Sequence, residues 1–273
     1  DAVKQQIILC GHHDSAYVFN FMDKSPRLYP LFMLAGQAPL FLALIFSIAA
    51  LILGINPLWY KIILTIGLVG IIPMWWFTTD KVSPGAGDNM VATAIINETA
   101  KILSDQKKAG RNPLKHTRII CLSVDGEECG LRGSRAFVKT HEKEFKDIKT
   151  YAFCIDTLFN ADKLLFFKRD LNMTVPLSGN MAEELADTAK SLGYGAKVSQ
   201  MPFGGGSTDA ASFAQIGVEA SCLLAFELDI SNLQEDMVYH TPRDKTNAIE
   251  PKVVEQSLNV AVQYLLKKDK ELL

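Results

Sequence analysis

Two kinds of hydrophobic pattern run along this chain, and they occupy different stretches. Outside residues 28–79, short apolar runs alternate with helical patterns. Residues 6–10, 117–124, 150–155, 163–167 and 218–226 are rich in Ile, Val, Leu, Phe and Cys, as strands buried on both faces of a mainly parallel sheet are. Residues 88–106, 131–140, 179–192 and 251–267 instead space apolar side chains by three and four, with charges on the opposite side. That spacing predicts amphipathic helices. Alternation of the two predicts an α/β fold, a three-layer sandwich around a mixed, mainly parallel sheet.

The second pattern is continuous. No charged side chain lies between Arg27 and Lys61, and none between Lys61 and Asp80. The sequence GINP at 54–57 divides this block into segments 30–53 and 58–77; at about 1.5 Å per residue, each helix is long enough to cross roughly 30 Å of hydrocarbon. Core helices of a soluble protein are shorter and carry a polar stripe. The expectation is therefore an inserted transmembrane helical hairpin at 28–79, interrupting one domain made of 1–27 and 80–273. Tyr29, Trp59, Tyr60, Trp75, Trp76 and Phe77 fall where membrane interfaces would lie, and Lys61 can extend to water. A hairpin returns to the side it left. Its flanks carry Lys24, Arg27 and Lys81 against Asp23 and Asp80, which favours a cytoplasmic location for the main domain. Five cysteines without paired spacing agree with a reducing compartment.

Composition adds bounds. A length of 273 residues suits one large α/β domain. The net charge of −2 and the lack of like-charge blocks make nucleic acid an unexpected partner. With 48% hydrophobic and 21% charged residues, the chain is not disordered.

In open α/β sheets, ligands bind beyond the carboxyl ends of the strands. Acids and imidazoles recur there: His12, His13 and Asp14 after the first strand, Asp125, Glu127 and Glu128 after the second, and Asp156 after the third. Asp88 opens a helix, and His240 sits in YHTPRD at 239–244. Singly, Asp88 reads as a helix N-cap, Glu127 and Glu128 as a solvated turn, and His240 as a turn residue. Taken together, two histidines and three carboxylates of this set are enough to hold two divalent ions if one carboxylate bridges. Glu127 is the candidate base, because Glu128 can ligate while the adjacent side chain points elsewhere.

The ordered motifs GHHDS at 11–15, PGAGDN at 84–89, DGEECGLRGS at 125–134, the Asp of FCIDT at 153–157 and YHTPRD at 239–244 resemble the co-catalytic di-zinc metallopeptidases. These include leucyl-type aminopeptidases, glutamate carboxypeptidase and, more distantly, glutaminyl cyclase. The resemblance implies two zinc ions per chain, one held by His12 and Asp156, the other by Glu128 and His240, with Asp88 bridging and Glu127 as general base. It also implies that Asp14 orients the first histidine and that Asp244 supports the region around His240. The implied reaction is hydrolysis of a peptide bond near a chain terminus; peptide or protein N-termini are the expected substrates because no arginine cluster is positioned to grip a terminal carboxylate, although Arg132, Arg135 and Arg243 lie near the motifs. Glutaminyl-cyclase-like or carboxypeptidase activity and a non-catalytic membrane binding protein are the alternatives.

Two departures bear on specificity. The hairpin lies between the first and second motifs, which predicts an active site near the lipid bilayer and substrates that are anchored or amphipathic. Residues 207–213 resemble the family's late Asp-containing segment, but Ala210 stands where a histidine is common. The glycine run 204–206 lacks a phosphate-binding Lys-Ser/Thr. Gly205, Gly206 and Asp209 are accordingly expected at the rim of the substrate pocket.

Overall fold

The computed structural model describes residues 3–55, 58–202, 204–226 and 237–273. The chain divides into two compact units, one comprising Asp1–Ala16, Gly85–Leu228 and Asp244–Leu273, the other Tyr17–Pro84 and Asp229–Arg243.

The first unit is built on a six-stranded sheet in the order Thr117–Val124, Gln5–His12, Lys149–Leu158, Glu219–Ala225, Leu164–Phe167, Ala196–Ser199. The first four strands are mutually parallel, and Leu164–Phe167 runs antiparallel to Glu219–Ala225. Alternate residues of Gln5–His12 face opposite layers. Ile7 and Leu9 pack with Ile95, Leu185 and Tyr264 from helices Val91–Lys108, Gly179–Ser191 and Pro251–Lys270. Ile8 and Cys10 pack with Val138, Phe145 and Phe213 from helices Arg132–Asp147 and Ala210–Gln215. Each such large side chain, fully buried, contributes about 1.5–3 kcal/mol. This is the expected three-layer α/β sandwich, and its parallel strands bring their carboxyl ends to one edge.

Two helix starts differ from expectation. Helix Val91–Lys108 begins three residues after Asp88, because Asp88 and Asn89 have non-helical torsions inside the turn Ala86–Met90. Leu131 adopts a left-handed φ of 60°, so the next helix begins at Arg132. The short strand Ala196–Ser199 escaped the hydrophobic pattern because only alternate residues of AKVS are apolar.

In the second unit, strand Tyr17–Phe19 pairs antiparallel with Thr78–Val82 and forms a neck from which helices Tyr29–Leu53 and Leu58–Val69 extend. The helices run antiparallel, with the Ser47 hydroxyl 3.4 Å from Tyr60 OH. Small residues permit close approach: a Cβ on Gly67 would lie 3.1 Å from Pro39, and one on Gly70 2.8 Å from the Ala35 carbonyl oxygen. The second helix, expected to reach 77, stops at Val69; Gly70 follows, and Pro73 leads into the 3₁₀ turn Ile72–Trp76. Gly54 caps the first helix with φ 64°; Asn56 and Pro57 of the expected turn lie outside the described residues. Segments Pro26–Leu53 and Leu58–Trp76 are long and apolar enough to cross a membrane, and their most apolar windows are only 6% and 0% buried. That exposure separates them from a pair of core helices.

A small core centred on Met22 and Tyr29 gathers Phe19, Phe21, Phe77, Met237 and Tyr239. Residues 17–27, 80–84 and 237–243 therefore group with the hairpin rather than with the sheet.

Candidate metal centre

His12 ends the strand Gln5–His12 with its imidazole almost fully buried. Its Nδ1 lies 3.1 Å from the Asp14 carbonyl oxygen and 3.5 Å from Asp14 Oδ1. Its Nε2 faces two carboxylates, 3.3 Å from Asp88 Oδ1 and 3.5 Å from Asp156 Oδ1. One nitrogen or oxygen from each of His12, Asp88 and Asp156 falls within 4.8 Å of the others, and the same holds for His12, Glu127 and Glu128.

Each acidic side chain has a local reason for its place. Asp156 lies near the end of Lys149–Leu158, where the Thr157 hydroxyl donates to its Oδ1 at 2.9 Å. Thr157 has φ 45°, a left-handed conformation uncommon for a β-branched residue and found where surroundings over-determine the backbone. Asp88 sits in a buried turn whose amides are held from outside: Gly87 N–H donates to Asp244 Oδ1 at 2.7 Å and Asp88 N–H to Asp244 Oδ2 at 3.3 Å. The following Asp88–Asn89 peptide is cis. Glu127 and Glu128 are held the same way, their N–H groups donating to Asp14 Oδ1 and Oδ2 at 3.1 Å each. One aspartate thus grips two successive amides beneath each acidic turn.

Asp244 thus has a role that its place beside the His240 motif did not reveal, accepting from two amides of the Asp88 turn. Asn89 was not anticipated at all. Fully buried, it donates from Nδ2 to the Ile155 carbonyl oxygen at 2.8 Å, tying the Asp88 turn to the strand that carries Asp156. Its only signal was its position beside Asp88. Gly87 leaves room for the Phe159 ring, since a Cβ there would lie 2.1 Å from it.

Concentrated negative charge shapes the electrostatics. Burial opposes a charge on His12, but the Asp14, Asp156 and Asp88 carboxylates outweigh it and raise the imidazole well above its ordinary value. Burial, followed by the Asp156 charge, pushes the Glu127 carboxyl well above the carboxylate range. Asp209 is raised to about 6, chiefly by burial; it accepts from the Cys10 thiol at 4.0 Å and feels the His12 and Asp156 charges. Gly205 and Gly206 belong to a turn whose hydrogen bonds run to Pro202 and Asn172.

These donors suit a divalent cation. His12 Nε2 is buried without a hydrogen-bond partner among the described residues, while two carboxylate oxygens converge beside it. The field that would retain a proton on the ring is the field that draws a dication, and imidazole with carboxylate is a zinc-type donor set. His240, the remaining expected ligand, is a buried residue of the second unit with φ 54°.

Structural relatives share the fold. The Legionella pneumophila LapA aminopeptidase aligns with TM-score 0.60 and 16% identity over 98% of this chain and 53% of that one. A zinc aminopeptidase of Bacillus subtilis aligns with TM-score 0.54 and 23% identity over 68% of this chain and 43% of its own. A Fimbriiglobus ruber glutaminyl cyclase aligns with TM-score 0.56 and 16% identity over 97% and 71%. The chain spans about half the length of the aminopeptidases it matches. No curated protein matches the sequence significantly. The profile of peptidase family M28 matches residues 72–265, a stretch that contains Asp88, Glu127, Glu128, Asp156 and His240. By that match the chain belongs to peptidase family M28.

Proposed function

We propose that the protein is a membrane-anchored exopeptidase of the aminopeptidase type that works with two zinc ions. The observation that carries this reading is the convergence of Asp88 and Asp156 on His12 Nε2, with Glu127 and Glu128 grouped about the same imidazole. His12 and Asp156 would hold one ion, Glu128 and His240 the other, and Asp88 would bridge; His240 enters on the order of the motifs alone. Bound there, zinc would polarise the scissile carbonyl and acidify water.

The protein's own groups supply the proton handling. Glu127 is buried and grouped with His12 and Glu128, which suits a group that takes a proton from water and returns it to the leaving amine. Asp14 fixes the backbone beneath Glu127 and Glu128. Free N-termini are the substrates this reading favours; Arg243, one of three arginines near the motifs, is engaged with Asp23 at 2.7 Å, while Arg132 and Arg135 are exposed. Residues 28–79 would lie in a lipid bilayer, with the catalytic unit on the cytoplasmic side, where anchored or amphipathic peptides are within reach.

The test is Glu127→Gln. It should retain the zinc content of the parent while turnover of an unblocked peptide falls by about 10²–10⁴. Unchanged turnover would refute the role of Glu127. Cleavage of N-blocked peptides in preference to free ones, or cyclisation of an N-terminal glutamine, would replace the aminopeptidase reading with one of the alternatives.

A further inference from the structure

The turn that carries His240 is built into the neck of the apolar hairpin. Phe19 N–H donates to the His240 carbonyl oxygen at 2.9 Å, and the Phe19 ring meets the imidazole edge-on with centroids 4.4 Å apart. On its other side Phe19 packs against Phe77, also at 4.4 Å, where the chain leaves the second apolar segment. Asn20 ties the same point down: its N–H donates to the Phe77 carbonyl oxygen at 2.9 Å and its Nδ2 to that of Trp76 at 2.8 Å.

Both ends of the turn are also secured. Arg243 Nη1 pairs with Asp23 Oδ1 at 2.7 Å, and its Nε donates to the Met237 carbonyl oxygen at 2.7 Å. Asp23 belongs to the short helix Asn20–Lys24, which precedes the first apolar segment. The Ser83 hydroxyl, just past the strand leaving the second segment, donates to the Thr241 carbonyl oxygen at 3.1 Å. His240 holds φ 54°, a left-handed conformation unfavourable for a non-glycine residue that persists only where neighbours impose it. Phe19, Asp23 and Ser83, which enter or leave the hairpin, are among the neighbours of this turn.

We infer that the hairpin neck is the positioning device for His240, with Phe19 and the Asp23–Arg243 pair as positioning residues. The inference rests on the reading of His240 as a ligand of the second ion. The hairpin then has two roles: it anchors the chain, and its folded base sets the backbone of a ligand. Breaking the neck should selectively weaken one of two ions, because His12, Asp88 and Asp156 all belong to the other unit.

The experiment is calorimetric titration of zinc into the metal-free full chain in detergent micelles. The parent should bind two ions and His240→Ala one. Phe19→Ala and Asp23→Ala should each weaken the second ion at least tenfold and leave the first unchanged, which also reports that the sheet unit remains folded. Exchanging the pair, with Asp23→Arg and Arg243→Asp together, should restore the second ion, as should Phe19→Tyr. Two ions bound with parental affinity in both Phe19→Ala and Asp23→Ala, alongside loss of one in His240→Ala, would overturn the inference alone. Retention of both ions by His240→Ala would overturn the ligand assignment and the inference with it. Failure of both the exchange and Phe19→Tyr to rescue would mean that the neck acts through general stability, against positioning.

Discussion

Replacing Asp244 tests whether the acidic turns are held from beneath. Its fully buried carboxylate accepts from Gly87 N–H at 2.7 Å and Asp88 N–H at 3.3 Å. A hydrogen bond to a charged group contributes about 1.5–3 kcal/mol, and a donor left buried without its partner bears a desolvation cost of similar size. Asp244→Ala should therefore destabilise the catalytic unit by about 3–5 kcal/mol. At roughly 2–4 °C per kcal/mol for a unit of this size, the melting temperature should fall by about 10 °C. Asp244→Asn keeps one acceptor oxygen but turns an NH₂ group toward a backbone N–H, so it should fall between the parent and Ala. Scanning calorimetry of the full chain in micelles reads these shifts, and zinc affinity should decline in the same order because Asp88 loses its anchors. An Ala variant melting within about 2 °C of the parent, the range of ordinary surface substitutions, with unchanged zinc affinity would refute the reasoning.

Gly87→Ala would force a Cβ to 2.1 Å from Phe159; overpacking of this kind costs about 1–3 kcal/mol, and Phe159→Leu in the same chain should recover part of the lost melting temperature. Asp269 should govern part of the acid limb: burial raises its carboxyl, but amide donors including Lys115 and His116, each at 2.8 Å, outweigh burial and hold it below the ordinary 3.8. A depressed carboxyl stabilises the fold above its unfolded value and ceases to do so as pH falls through its folded one, so unfolding measured against pH should steepen below 3.8 in the parent and be flatter in Asp269→Asn. The exposed hairpin predicts that the full chain stays with membranes through a carbonate wash and is released by detergent; release by carbonate would contradict bilayer insertion.

The parts of the molecule that were legible in the sequence are those encoded by local period. The apolar runs at 117–124 and 150–155 became strands in parallel register, the first a partly exposed edge strand and the second buried, and the apolar block became two exposed helices. The acids and imidazole at strand ends were legible for the same reason: parallel strands deliver their ends to one edge. What the pattern does not encode is which distant groups meet. Asp244 grips amides far upstream of it, and Asp14 grips those of Glu127 and Glu128; one carboxylate beside a motif looks like another until the fold is closed. The residues that join the base of the hairpin were hidden for a related reason. Charge marks where the apolar helices start, but Phe19, Asp23 and Arg243 join them through long-range contacts that composition does not reveal. The break after Val69 was foreshadowed by Gly70 and Pro73, whose effect the surrounding hydrophobicity concealed.

Elemental analysis of the purified full chain, beside variants at His12 and Asp88, tests the central claim most directly. The account predicts two zinc ions per chain, with loss of metal in His12→Ala and Asp88→Ala and peptidase activity falling in step. A parent that hydrolyses peptides with no bound metal, or variants at His12 and Asp88 that keep the full complement, would contradict it.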